Sequence, residues 1–300
     1  MANGYIVVWA GQSLCNNNPG MTLPNTDSKS NVYMMEPTKR TFSTFQINPN
    51  DPKHNVFTNT QAYRNCPAIK FADEWQARVN AGLLSGNLYS ILCARDGSSF
   101  STDYLIDDLS HWNLDRRRND GLGNWDNTLY SIPSDTGGGT WTEGDANSLV
   151  STLEQSVSVA AAQVTANGDT PYLLFLCFIH GQADALLSSS ASQYQANEEG
   201  LKTKVATALG VSNFPWYTVK LSGNNRTGTS VINSGKDSMA ANDSDVKIID
   251  PTQFPEYVIS SPEYGGIHND GTHYGDRGGW RVAEECYKLS IDNENFGIAL

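Results

Sequence analysis

Three short segments, residues 5–10, 88–94 and 172–179, are almost continuously apolar and show no alternation of apolar and polar positions. A strand with one wet face alternates, so segments of this kind belong to strands covered on both faces, the usual condition of a parallel sheet. Helical periodicity lies between and after them. Ile69, Ala72, Trp75, Arg78 and Val79 form one stripe. Leu149, Leu153, Val157, Ala161 and Val164 form another, entered at Asp145 as N-cap. A third helix is predicted over residues 193–209, with Leu201, Val205 and Leu209 on one face and Gly210 as its C′ residue. A strand over 216–221, a further strand near 246–249 and a last helix over 280–289 complete the series. The pattern predicts an α/β fold: a three-layer α/β/α sandwich around a central, mainly parallel sheet.

A chain of 300 residues without internal repeats or a low-complexity linker reads as one domain over 1–300. Two long insertions interrupt the alternation, near 16–67 and 112–144; the first is rich in Asn, Pro and Thr, and the second contains Gly137, Gly138 and Gly139. Loops of this length in a compact domain are functional or disordered, and Trp112, Trp125, Tyr130 and Trp141 in the second argue against disorder. Those rings either present flat faces to sugars or pack the loop onto the domain. The Arg116-Arg117-Arg118 triplet reads as a solvated turn, with an anion site as the alternative.

Thirty-two acidic against 20 basic residues give a net charge of −12, which repels phosphate backbones and sets nucleic acid aside as a partner. The longest apolar run, 172–179, is far short of the ~20 residues that span a bilayer, so no membrane is expected either. The first residues carry no basic n-region, and the stretch at 5–10 is too short for a signal peptide. Cys15, Cys66, Cys93, Cys177 and Cys286 are odd in number, widely spaced and without a CxxC pair, so neither a disulfide framework nor a zinc ribbon is expected. Cys93 and Cys177 lie inside apolar runs and read as small core residues.

Ligands of open α/β sheets sit beyond the carboxyl ends of the strands. Gly11-Gln12-Ser13 follows the first apolar run, Asp96-Gly97-Ser98 the second, and His180-Gly181-Gln182-Ala183-Asp184 the third. Asp270-Gly271-Thr272-His273 precedes the last helix. A serine on a strand-to-loop turn, a histidine that takes its proton and a carboxylate that orients the histidine are the parts of acyl transfer. The Asp-x-x-His spacing lets one loop bring carboxylate and imidazole together. A glycine after the second strand allows a backbone N–H to approach an oxyanion without Cβ obstruction.

These blocks resemble the SGNH hydrolases, which have a flavodoxin-like sheet, and within them the sialate O-acetylesterase and carbohydrate acetylesterase group. Trp9-Ala10-Gly11-Gln12-Ser13 is similar to the group's Gly-Gln-Ser-Asn block as far as the serine, with Leu14 in place of asparagine. Asp270-Gly271-Thr272-His273 is similar to its terminal Asp-Gly-x-His block. In the middle block, like Gln-Gly-Glu-Ser/Ala-Asp, His180 stands at the glutamine and Gln182 at the glutamate, while Gly181 and Asp184 are kept. The resemblance implies that Ser13 is the nucleophile, His273 the general base and then acid, and Asp270 its orienting residue. It implies an oxyanion hole from the Ser13 N–H, Gly97 and a middle-block side chain, either His180 or Gln182. Gln12 and Gln182 would line the substrate site, and Asp184 would bond backbone donors within the middle block.

The resulting expectation is a serine esterase that removes O-acetyl groups from a carbohydrate through an acetyl-serine intermediate, without cofactor or metal. An acetylated carbohydrate is its expected partner. Absence of a leader, the Asn/Ser/Thr-rich composition and the aromatic loops suit a phage tail enzyme acting on surface polysaccharide, and equally a secreted enzyme. Two alternatives compete. His268, Asp270, His273 and Asp276 include metal-ligand types, a metallohydrolase reading that leaves Ser13 unexplained. The altered middle block suits a silent carbohydrate-binding module on the same fold.

Overall fold

The computed structural model describes residues 2–12, 15, 29–35, 41–45, 67–94, 98–100, 118–119, 125–126, 149–187, 189–222, 228–254, 276–293 and 296–300. Strand β1 (Asn3–Gly11) is followed by β2 (Lys29–Met35), β3 (Phe42–Phe45), helix α1 (Pro67–Asn80) and β4 (Asn87–Ala94). A two-residue pair, β5 (Arg118–Asn119) and β6 (Trp125–Asp126), precedes α2 (Leu149–Ala166) and β7 (Thr170–Ile179). Then come α3 (Gln182–Leu186), α4 (Ala191–Leu209), β8 (Trp216–Val219), α5 (Thr229–Asn242), β9 (Val246–Ile249), α6 (Asp276–Tyr287) and β10 (Ile298–Ala299).

The main sheet runs β3-β2-β4-β1-β7-β8-β9, with β10 beside the start of β7. Every neighbouring pair from β2 to β9 is parallel; β3 and β10 are antiparallel additions. Within it β4-β1-β7-β8-β9 are ordered 2-1-3-4-5 by chain position, the flavodoxin-like order. The three apolar runs of the sequence are its central strands. From Ile6 to Ala10 every side chain of β1 is fully buried, and the residues divide between two cores. Tyr5, Val7 and Trp9 meet α1 and α6 on one face. Ile6, Val8 and Ala10 face the core of α2, α4 and α5. This is the three-layer α/β/α sandwich that continuous apolar runs demand. Cys93 and Cys177 are buried in those cores.

Helix α4 begins at Ser190, whose Oγ accepts the Gln193 N–H at 3.2 Å, and ends at Gly210 in the left-handed region at φ 72°. Four expectations change. The stretch 16–67 contains β2 and β3, so it is not wholly an insertion. Their polar entry, Lys29-Ser30-Asn31, hides a strand whose Lys29 is buried against Asp73 at 2.6 Å. Helix α5 was absent from the periodicity because its buried face is Thr229, Ile232, Gly235, Lys236 and Met239, hardly an apolar stripe. The last helix starts at Asp276, a turn before Trp280, and β8 stops at Val219. Among the described residues no helix is long and apolar enough to cross a membrane.

Candidate active site

The carboxyl ends of β4, β1 and β7 lie side by side, with Gly11 in register with Ala94 on one flank and Ile179 on the other. The gap between β1 and β7 is the point at which the chain's connections turn to opposite sides of β1, where α/β sheets open a crevice. Gly11 is required there. Its φ is 142°, and a Cβ would stand 2.1 Å from the Ile179 carbonyl oxygen. That closeness lets the Gln12 N–H donate to Ile179 O at 3.0 Å. Across the same gap Gln12 Nε2 donates to Gln182 Oε1 at 2.6 Å, both side chains being buried. With Oε1 so engaged, the donor end of the Gln182 amide is its NH2 group.

The turn after β7 is built on Gly181, at φ 117°, where a Cβ would lie 2.8 Å from Ile232 Cγ2 and 3.1 Å from the Tyr194 hydroxyl. Two side chains reach from this turn to the segment after β4. His180 Nε2 lies 3.1 Å from Ser98 O, and both carboxylate oxygens of Asp184 accept the Phe100 N–H, at 3.1 and 3.2 Å. Ser98 Oγ in turn donates to Gly11 O at 3.3 Å. The three strand ends are therefore tied through side chain to main chain bonds.

The His180 imidazole is fully buried, stacked on Phe178 and met edge-on by Phe100, with ring centroids 5.0 and 4.9 Å away. Its Nδ1 is 3.3 Å from the Tyr194 hydroxyl. A carbonyl at Nε2 can only accept, so Nε2 carries the proton and Nδ1 is left as the acceptor nitrogen facing the Tyr194 hydroxyl. Burial, reinforced by the Lys236 charge, pushes the imidazole well below its ordinary pKa. It is neutral, and Asp184 at 3.7 Å is not an ion-pair partner. Burial and the neighbouring carboxylates of Glu198 and Asp184 hold the Tyr194 hydroxyl well above its usual range, so it remains a donor.

Of the two candidates for the oxyanion donor, His180 has its N–H on Ser98 O and its other nitrogen beside the Tyr194 hydroxyl, so donation to an oxyanion would compete with the Ser98 bond. Asp184 accepts a backbone donor from outside the middle block, the Phe100 N–H. Gln12 and Gln182 are brought together. Ser13, Gly97, Asp270 and His273 lie outside the described residues, as does His268; Gln12 and Ser98 are the described chain neighbours of Ser13 and Gly97. Tyr194 was missed by the sequence reading, and nothing in its helical context marks it.

No protein-family model matches the chain, and no curated protein matches it. Solved structures do share its fold. A protein of Arabidopsis thaliana superposes with a TM-score of 0.61 at 13% identity, covering 96% of this chain and 98% of that one. NanS superposes with a TM-score of 0.54 at 14% identity, covering 96% and 97%. A carbohydrate acetylesterase from Xanthomonas citri follows at a TM-score of 0.46 and 10% identity, over 96% of this chain and 57% of that one. The first two share with this chain the three-layer α/β/α architecture.

Proposed function

We propose that this protein is a serine esterase that removes O-acetyl groups from a carbohydrate. The observation that carries the reading is the Gln12–Gln182 hydrogen bond across the β1–β7 crevice. It sets an amide donor beside the residue that precedes the candidate nucleophile, at the position where this fold binds ligands. The SGNH-like blocks supply the triad, and the acetylesterase resemblance supplies the acyl group and the sugar.

In the proposed reaction Ser13 Oγ attacks the acetyl carbonyl carbon while His273 takes the hydroxyl proton and Asp270 holds the resulting imidazolium. The C=O π pair moves onto oxygen, where the Ser13 N–H, the Gly97 N–H and the Gln182 NH2 receive it. Collapse expels the sugar alkoxide, which takes its proton from His273. Water, deprotonated by His273, then attacks acetyl-Ser13, releasing acetate and restoring the serine. The bonds of His180 and Asp184 to Ser98 and Phe100 support this scheme by fixing the segment that follows Gly97.

Hydrolysis of a chromogenic acetyl ester and of acetylated polysaccharides, with chelator present, tests it. Wild type is expected to turn over, and Ser13→Ala to lose about a thousandfold or more of kcat. Turnover that survives in Ser13→Ala, or that chelation abolishes, overturns the mechanism. Saturable binding of acetylated polymer without acetate release moves the reading to the binding module.

A further inference from the structure

Helix α5 buries a lysine on its core face. Lys236 stands between Ile232 and Met239 on the buried side and is fully inaccessible. An ammonium in such a place is rare unless it is paired and hydrogen-bonded. Its partners are two main-chain carbonyls: Nζ donates to His180 O at 2.8 Å and to Val219 O at 2.5 Å, and it lies 5.6 Å over the Tyr194 ring.

The position of those carbonyls explains the lysine. The β7–β8 ladder ends at the Phe178–Thr218 pair. Beyond it the chain of β7 turns into the His180–Gln182 segment, and the Lys236 ammonium is a donor to the His180 carbonyl there. A buried carbonyl without a donor is costly. Lys236 joins the two strand ends just past the last ladder pair. Close packing delivers it there: a Cβ on Gly235 would lie 2.6 Å from Ala191 O, and Ile232 of the same helix presses on Gly181.

We propose that Lys236 is a positioning residue for the ester hydrolysis, stitching the ends of β7 and β8 so that the turn after β7 presents Gln182 to the crevice and His180 to Ser98. The inference rests on the esterase reading. Lys236 touches no reacting atom; it acts through the main chain of His180.

The groups facing Lys236 are Glu198 and Tyr194 from α4, Asp184 from α3, Cys177 from β7, His180 after it, and Lys220 after β8. Burial outweighs the two carboxylates, and the ammonium is brought down to about 8. Below that pH the charge strengthens both carbonyl bonds. Above it two N–H groups remain, but the charge assistance is gone and Glu198 and Asp184 face a neutral amine.

The experiment is a set of pH–rate profiles from 5.5 to 9.5, on an acetyl ester with spontaneous hydrolysis subtracted, for wild type, Ser13→Ala and Lys236→Met. Wild-type kcat is expected to rise with His273 and fall again through an alkaline limb near pH 8, with circular dichroism unchanged across that limb. Lys236→Met is expected to lower kcat by about ten- to a hundredfold with KM within about threefold, because a displaced donor weakens the transition state and not ground-state binding. Its profile should lack the alkaline limb. Unchanged kcat in Lys236→Met, or a limb that persists in it, overturns the proposal. Should that variant not fold, a wild-type profile flat from pH 7.5 to 9.5 overturns it equally. Activity retained in Ser13→Ala overturns the esterase mechanism instead, so the two failures are distinct.

Discussion

Gln182→Met is the substitution that separates the two candidates for the third oxyanion donor. The side chains are close in length, and Gln182 is buried in a tight turn, so the volume is kept while the amide is lost. Stability should fall because Gln12 Nε2, in a residue 1% exposed, loses its acceptor Gln182 Oε1. An orphaned buried donor costs about 1–3 kcal/mol. For a chain of this size, with an unfolding entropy of about 2 cal/mol/K per residue, that is a drop in Tm of about 2–5 °C. The catalytic effect should be larger. Removing one oxyanion donor raises the barrier by about 2.7–4 kcal/mol, or 10²–10³ in kcat. His180→Gln leaves Gln182 in place and should cost well under tenfold, since glutamine can still donate to Ser98 O. The assay is kcat at saturating acetyl ester beside thermal melts of both variants. If Gln182→Met stays within threefold of wild type while His180→Gln loses a hundredfold, the assignment of Gln182 is refuted and the imidazole is the donor.

Two further outcomes are expected. His180 has its pKa depressed in the folded state, so between that value and the unfolded value of about 6.5 the unfolded chain binds more protons; stability therefore rises with pH through this window and is lost as pH falls through it. Thermal melts from pH 4.5 to 7.5 should show that slope reduced in His180→Gln, and an equal slope in both proteins would contradict the buried neutral imidazole. Gly11→Ala forces a Cβ against Ile179 O and a φ of 142° on a residue with a side chain, so a loss of at least about 3 kcal/mol, read by urea unfolding, is expected. A change below 1 kcal/mol would mean that the β1–β7 approach can relax.

The layers of the fold were legible because burial on both faces leaves no other way to write β1, β4 and β7: Val7 and Val8 point to opposite cores, and both must be apolar. Helix α5 was not legible for the complementary reason. Its core face carries Gly235 and Lys236, chosen for close approach and for carbonyl bonding, and neither adds to a hydrophobic period. The same holds at the site. Gln12 and Gln182 could be singled out by their place after apolar runs, but their mutual bond spans 170 residues and no local spacing encodes it. His180 shows the limit most clearly. A histidine at a strand end reads as chemistry in sequence, and only Ser98, Phe100, Phe178 and Tyr194 around it reveal that its nitrogens are already used.

The two ends of the sheet spend polar side chains differently, and the contrast bears on where function lies. At the amino end, Asp169 accepts from Asn87 Nδ2 and the Tyr89 hydroxyl, both at 2.7 Å, while Asn31 Nδ2 donates to Asn87 Oδ1 at 2.9 Å. These bonds join side chain to side chain, and they would tolerate a shift of the backbone that carried the groups along. At the carboxyl end, beside the side-chain pairs Gln12–Gln182 and His180–Tyr194, main-chain atoms serve as partners: Ser98 O for His180, Phe100 N for Asp184, Gly11 O for Ser98, and the carbonyls of His180 and Val219 for Lys236. Bonds of that kind fix the path of the backbone itself. Burying a lysine and a carboxylate for the purpose carries a desolvation cost that apolar packing of the same volume would avoid. A fold that needed stability alone would gain little from this arrangement. In the proposed esterase, oxyanion donors on the backbone would have to be in place before substrate arrives, and main-chain bonds of this kind would serve that need.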